Sequence, residues 1–247
     1  WQAEGQPWTA TAYALNDLRE WGLPPGCAAA RRTVSRVGEH GRWDEGGQPF
    51  WAGEVEECIN GRTLADGAYF GVDMARLAQR LVGEQQPDGG WNCERANGSG
   101  RSSVDSTINV LEGLLEYELA TGGTEELRVA RLTGQEYLLQ RQLVRRASTG
   151  DVIDRDYLLL AHPHRWHYSI LRGLDYMRAS GIHDRAQPDP RLGEAFALLR
   201  GRRLLDGRWP LDRRHPGRQW FEVDDPEGKP SRWVTLLALR VLRWAQR

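Results

Sequence analysis

The chain has 247 residues, of which 40% are hydrophobic and 27% are charged, and its formal net charge is −1. A chain of this length with 11 tryptophans can bury a sizeable core and predicts one domain. Its charge balance excludes an electrostatic basis for binding nucleic acid or an anionic membrane surface.

The apolar runs and the cysteines indicate where the protein works. No apolar stretch approaches the roughly 20 residues that a membrane-spanning helix requires, and we expect no signal peptide. Cys27, Cys58 and Cys93 form no disulfide framework by number or spacing, which is typical of a reducing compartment. We therefore expect a cytoplasmic protein. The chain opens at Trp1 as if at the end of a repeat turn, so we also expect an earlier segment to be missing.

Apolar periodicity and stop signals predict alternating inner and outer helices along the chain. The first inner helix is expected over 8–22, and a third one after the caps Ser102, Ser103 and Asp105. The other predicted helices are 28–39, 56–71, 73–84, 124–146, 166–181, 189–203 and 231–247. The loop 205–230 is longer than most connections in compact domains, which predicts a functional segment.

A turn motif recurs between these helices. Gln86-Pro-Asp-Gly-Gly-Trp91 is the clearest copy, Leu-Asp-Gly-Arg-Trp209 is a second, and His-Gly-Arg-Trp43 is a looser third. The inner helices align on one leucine each, which are Leu15, Leu64, Leu111, Leu171 and Leu239. Two-helix units that recur every 50 to 70 residues or so predict a solenoid or a closed array.

The PDGGW turn followed by a capped helix resembles the repeat of the terpenoid cyclase and protein prenyltransferase superfamily. Longer stretches resemble short, single-domain bacterial proteins described as squalene-cyclase-like, namely FWAGEVEECINGRTLADGAYFG, PDGGWNCE, STINVLEGLLEYE and PSRWVTLLALRVLRW. The resemblance implies an all-α fold, an α/α toroid of inner and outer helices with about five pairs visible. It implies one toroid domain over 1–247 and terpenoid cyclase-like chemistry by default.

Polar residues recur at the predicted starts of the inner helices. One set lies four residues before the aligned leucines and consists of Thr11, Asn60, Thr107, His167 and Thr235. A second set lies two residues earlier still and consists of Thr9, Cys58, Asp105, Arg165 and Trp233. Parallel inner helices, which the resemblance implies, would gather them at one mouth with free helix N–H groups. Ordinary helix capping is the alternative for the threonines.

Two kinds of catalytic chemistry are open at this end of the inner helices. Class II terpene cyclases use an Asp-x-Asp-Asp-Thr motif, and the resemblance aligns its central acid with Asp105, although serines replace the flanking acids. Prenyltransferases bind zinc through Asp-x-Cys and a histidine, which Glu56-x-Cys58 and His167 resemble. We expect neither a metal nor a cofactor, and the zinc-dependent enzyme stays an alternative.

We therefore predict an enzyme that acts on a small, partly apolar substrate. Whether this substrate also carries an anionic group is left open. Asp105, His167 and Glu56 are the predicted catalytic residues. The predicted substrate-binding residues are Cys58, Asn60, Arg165, Trp166, Arg232 and Trp233, together with Trp220 and Phe221 on a covering loop. The alternative of another class is a non-catalytic small-molecule-binding or interaction protein on the same scaffold. Whether a partner subunit completes the ring is left open.

Overall fold

The structure is a computed structural model that describes residues 6–44 and 46–246, so Trp1 lies outside the described residues. The described chain is mainly helical, which confirms the predicted all-α class. Its α-helices, numbered α1 to α9 in chain order, are Thr11–Glu20, Ala28–His40, Glu57–Tyr69, Ala75–Gly83, Val104–Thr121, Glu125–Leu139, Ile170–Asp184, Gly193–Gly201 and Arg232–Trp244. No helix in this part of the chain is long and apolar enough to cross a bilayer.

Apart from isolated β-bridges, the extended structure of the described chain consists of four two-residue strands. β1 (Gln6–Pro7) pairs in parallel with β3 (Gly217–Arg218). β2 (Trp209–Pro210) pairs in antiparallel fashion with β4 (Pro230–Ser231). The β2–β4 pair joins the two ends of the long 205–230 loop, and the β1–β3 pair holds the middle of that loop.

The chain divides into two compact units. The first-loop unit, residues 10–137, contains α1 to α5 and most of α6. The long-loop unit, residues 6–9 with 138–246 of the described chain, contains α7, α8, α9 and the four strands. Each unit is described by itself below.

A close helix crossing organises the first-loop unit. α3 and α5 pack against each other where Gly61 faces the backbone of Asn109 and Gly113 faces the backbone of Gly61. A Cβ atom on either glycine would overlap these backbone atoms. Glycine lowers local helix propensity, but Gly61 and Gly113 are needed here because only residues without a Cβ let the backbones of α3 and α5 come this close.

The PDGGW turn is fastened to the helix that follows it. The indole of Trp91 is fully buried and its Nε1 donates to the Leu81 carbonyl at 2.7 Å. The backbone N–H of Trp91 donates to the Thr107 hydroxyl on α5 at 3.0 Å. We call this pair of bonds, from one tryptophan to the preceding helix and to the following threonine, the Trp–Thr clamp.

The long-loop unit contains a second Trp–Thr clamp. Trp209 is also fully buried, and its Nε1 donates to the Leu199 carbonyl at 2.7 Å. Its backbone N–H donates to the Thr235 hydroxyl on α9 at 2.9 Å. Trp43 differs, because its Nε1 bonds the nearby Phe50 carbonyl at 2.8 Å. The two clear copies of the motif thus share one hydrogen-bond pattern, and the looser copy does not.

Three predicted helix positions are corrected by the structure. α6 ends at Leu139 and not near 146, because Gln142 and Leu143 have positive φ angles of 45° and 69°. α7 begins at Ile170 and not at 166, since Ser169 caps it by accepting a hydrogen bond from the Arg172 N–H. Leu239 is 48% exposed, whereas the other four aligned leucines are buried, so the aligned leucine of α9 does not face the core.

Candidate functional sites

Each unit carries its own cluster of chemically active side chains. In the long-loop unit, the irregular segment before α7 lies against the 205–230 loop, to which it is joined by the Leu160–Asp212 and Ala161–Arg213 contacts. In the first-loop unit, the first turns of α3 and α5 meet near Cys93. A third set of charged groups connects α1, α3 and α5.

The segment before α7 has an unusual backbone. The His162–Pro163 peptide is cis, and Arg165 has a φ of 58°. The side chain of Arg172 holds the segment's end by donating to the His167 carbonyl at 2.9 Å. Arg165 and His167 were predicted at the start of an inner helix over 166–181, and both lie before α7, which Ser169 caps.

Aromatic rings from this segment stack on those of the long loop. Trp166 and His167 have ring centroids 3.7 Å apart, and His167 and His215 have centroids 3.9 Å apart. His162 stacks on Trp233 at 4.9 Å. His167 is therefore enclosed between two rings, which fixes its orientation.

A cleft opens beside these rings, and we call it the arginine–histidine cleft. It is lined by His162, Pro163, Arg165, Arg214, His215, Gln219, Val223 and Asp224. The guanidinium of Arg165 lies over the Trp8 ring at 5.1 Å, and the Trp8 Nε1 donates to the His215 carbonyl at 3.1 Å. The cleft lining thus combines two guanidinium groups and two imidazoles with the carboxylate of Asp224, and the buried Trp8 packs against Arg165.

Burial sets the charge state of His215. Removal from water lowers the pKa of His215 to about 3, and the positive charges of His167, His164, Arg213 and Arg165 act in the same direction. The imidazole is therefore neutral near pH 7 and can donate or accept a hydrogen bond there.

The predicted covering residues lie at the surface of the long loop. Trp220 is 69% exposed and Phe221 is 60% exposed, and Arg232 is exposed at the start of α9. The loop's base is more firmly held, because Ser231 donates to Asp224 and the Trp233 Nε1 donates to the Val223 carbonyl at 3.2 Å. Trp233 thus packs behind His162 and Val223, and Trp220 and Phe221 present apolar surface to solvent.

The first-loop unit brings Cys58 and Cys93 together. They are joined as a disulfide with Cα atoms 6.1 Å apart, so the expectation that the cysteines are unpaired is wrong for this pair. Cys27 is free and caps α2. Sequence spacing missed the pair because 35 residues separate the two cysteines, and the α3–α5 crossing brings them together.

Glu56 completes a three-residue group at this point. Potential ligand atoms of Glu56, Cys58 and Cys93 all lie within 4.8 Å of one another. The predicted zinc alternative combined Glu56 and Cys58 with His167. In the described residues, Cys93 and not His167 is the third member of the group around Cys58.

Asn60 and Asp105 occupy different surroundings from this group. Asn60 is fully buried, and its amide donates to and accepts from the backbone of Glu54 at 2.8 and 2.6 Å. It therefore anchors the loop before α3. Asp105 lies half-buried in the first turn of α5, where its carbonyl accepts from the Asn109 amide.

A buried acid occupies the α1–α3 interface. Asp66 is 1% exposed, accepts a hydrogen bond from Asn16, and pairs with the Arg19 Nε at 2.9 Å. Burial raises the pKa of Asp66 to about 6, even though Arg19 and Arg62 oppose the shift. The attraction of Asp66, Glu20 and Glu116 raises the pKa of Arg19 against the opposing effect of burial. The Asp66 carboxyl group is therefore about half protonated at a mildly acid pH of about 6.

Both clusters contain central residues that were not predicted from the sequence. They are Cys93 in the first-loop unit, and His162, Arg214 and His215 in the long-loop unit. Cys93 entered the sequence-based predictions only as one of three cysteines that form no disulfide framework. His215 had a detectable signal, because four of the six histidines fall in 162–167 and 215.

No family model matches this chain, and no curated protein matches it either.

Proposed function

We propose that this protein is an α/α-toroid cavity protein of the terpenoid cyclase-like kind, which acts on a small, partly apolar substrate with an anionic group. The observation that carries the proposal is the arginine–histidine cleft, in which Arg165, Arg214 and His215 line the same space.

The cleft's chemistry suits an anion attached to an apolar body. Guanidinium groups bind carboxylate and phosphate oxygens through paired N–H donors. A neutral His215 adds a hydrogen-bond donor without adding charge. Trp8 packs against Arg165 and Trp233 stacks on His162, so both tryptophans support cleft residues from behind. Donors and apolar groups together, here with Pro163 and Val223 in the lining, are typical of small-molecule sites.

The repeat pattern supports the toroid part of the proposal. Both Trp–Thr clamps join a shorter helix, a turn and a following inner helix with the same donors and acceptors. Recurrence of one fastening scheme is expected when similar two-helix units are stacked side by side.

The catalytic acid of cyclase-like chemistry must be held neutral by its surroundings. Asp105, the predicted acid, is half-buried. Asp66 matches the requirement better in one respect, since burial raises its pKa to about 6. The predicted catalytic roles of Asp105, His167 and Glu56 remain predictions, and Asp66 joins them as a candidate acid.

Titration calorimetry with three probes tests the proposal. The probes are geranyl diphosphate, inorganic pyrophosphate and geraniol. Geranyl diphosphate should bind at least about tenfold more tightly than either part alone, a difference of about 1.4 kcal/mol. Arg214→Gln should weaken that binding about tenfold or more. Arg218→Gln is the matched control, because it removes an exposed arginine of the same loop outside the cleft.

Equal binding by geraniol and geranyl diphosphate, or equal loss in both arginine variants, would overturn the anion site. Turnover is followed separately by gas chromatography of extracted products. Binding without any product would favour the non-catalytic binding protein over the enzyme.

A further inference from the structure

The sulfur of Cys93 has the surroundings of a metal-bound thiolate. It accepts a hydrogen bond from the backbone N–H of Cys58 at 3.3 Å and another from the Ser106 hydroxyl at 3.2 Å. Ser106 is itself held by the N-cap Ser103, whose hydroxyl lies 2.8 Å away. Donors fixed around a ligand sulfur are what orient and tune a metal site.

Helix geometry favours thiolate formation at the same point. Cys58 lies in the first turn of α3, and Ser106 lies in the first turn of α5. The N-terminal ends of both helices carry partial positive charge. Partial positive charge from two helix ends is a favourable setting for negatively charged ligand atoms.

The third ligand has the right type and separation. Glu56 is exposed, and its Oε2 lies 3.5 Å from the Cys58 sulfur. Zinc binds thiolate sulfur at about 2.3 Å and carboxylate oxygen at about 2.0–2.2 Å, so ligand atoms several ångströms apart can share one ion. The measured separations of up to 4.8 Å among the three groups suit such sharing.

We propose that the reduced Cys58–Cys93 pair and Glu56 form a zinc site with an open fourth position. A dithiol reductant first supplies two electrons and two protons to the disulfide, which gives two thiols and an oxidised dithiol. Zinc then displaces both thiol protons to solvent and binds two thiolates and one carboxylate. Three protein ligands with solvent access are the arrangement of zinc sites that bind a water or a substrate.

This site is independent of the arginine–histidine cleft, since all its ligands come from the first-loop unit. It also differs from the Glu56, Cys58 and His167 set considered from the sequence, because Cys93 supplies the third ligand. Failure of anion binding and failure of zinc binding are therefore separate results.

The test measures zinc in protein reduced with a phosphine, using elemental analysis and competition with a chromophoric chelator. The wild type should hold one zinc per chain, and Cys58→Ser and Cys93→Ser should each weaken binding by about 100-fold or more. Ser106→Ala should weaken it by about tenfold, as expected for an outer-shell change. Cys27→Ser is the matched control, since Cys27 caps α2 and belongs to no ligand group in the described chain.

Two further measurements keep the result decisive if a cysteine variant fails to fold. Cobalt added to the reduced wild type should give a thiolate-to-cobalt charge-transfer band in the near ultraviolet. Zinc should also slow alkylation of Cys58 and Cys93 but not of Cys27. No zinc binding by the reduced wild type, full zinc retention in Cys93→Ser, or re-formation of the disulfide in the presence of excess zinc would each overturn the proposal.

Discussion

His215 shows how neighbouring groups set the charge of one side chain. The ring is stacked on His167 and shielded from water, and several cationic groups surround it. Its pKa in the folded chain, about 3, lies well below the ordinary value of 6.5. The unfolded chain therefore binds a proton at His215 at a pH where the folded chain does not.

Acid should destabilise the protein through this residue. Because the folded-state pKa is lowered, the contribution of His215 is fully present above about pH 6.5 and is lost as pH falls towards 3. We expect His215→Gln to lose less unfolding free energy than the wild type between about pH 7 and about pH 4.5. Urea denaturation at both pH values measures the difference.

His40→Gln provides the control for this experiment, because His40 has a side chain that is 74% exposed. Its pH dependence should match that of the wild type. A parallel loss of stability in His215→Gln and the wild type would show that His215 is not a source of acid sensitivity.

At the scale of elements, the α3–α5 crossing sets the tightest limit on substitution. Gly61→Ala should destabilise the protein by about 1–3 kcal/mol, because its new Cβ would overlap the backbone of Asn109. Gly83→Ala is the control, since a Cβ there meets nothing within 4 Å. It lies in the last turn of α4 and should be neutral or stabilising by up to about 1 kcal/mol. Thermal and urea unfolding measure the free energy of unfolding of both variants. This free energy should be lower in Gly61→Ala than in Gly83→Ala by at least the about 1 kcal/mol expected for the Gly61 overlap.

The Trp–Thr clamps give a second prediction for elements. Thr107→Val and Thr235→Val each leave the backbone N–H of a buried tryptophan without its acceptor. Each should cost about 1–3 kcal/mol of unfolding free energy. Thr11→Val should cost far less, because Thr11 is exposed. If all three variants unfold alike, the threonines act only through helix propensity.

Helix positions followed from sequence wherever local signals decided them. Ser103 caps α5 as predicted, because a serine before an apolar repeat is a strong cap signal, and Ser231, which was predicted to begin the last helix, caps α9. The start of α7 was missed, since the left-handed turn at Arg165 has no local signature in that sequence. The Cys58–Cys93 pair and the His167–His215 stack were also missed, because both depend on how distant segments pack.

At the scale of the whole molecule, the proposed toroid leads to a prediction about helix direction. Parallel inner helices should place the first turns of α1 and α9 at the same end. Spin labels at Thr11 and Arg232 should therefore lie closer together than labels at Gly22 and Arg232. The displacement along α1 is about 15 Å for its 10 residues. Pulsed electron resonance distances that are shorter for the Gly22 pair would contradict the toroid.

The Trp–Thr clamps have a consequence for how such a protein can acquire new activities. Each clamp fixes both ends of the connection between a tryptophan and its threonine, which are 16 residues apart in the first copy and 26 in the second. The same fastening thus tolerates an insertion of ten residues, 26 less 16. Cys93 lies inside the first connection, and Arg214 and His215 lie inside the second. These connections are where evolution or a designed peptide library can exchange chemistry while both helices keep their anchors.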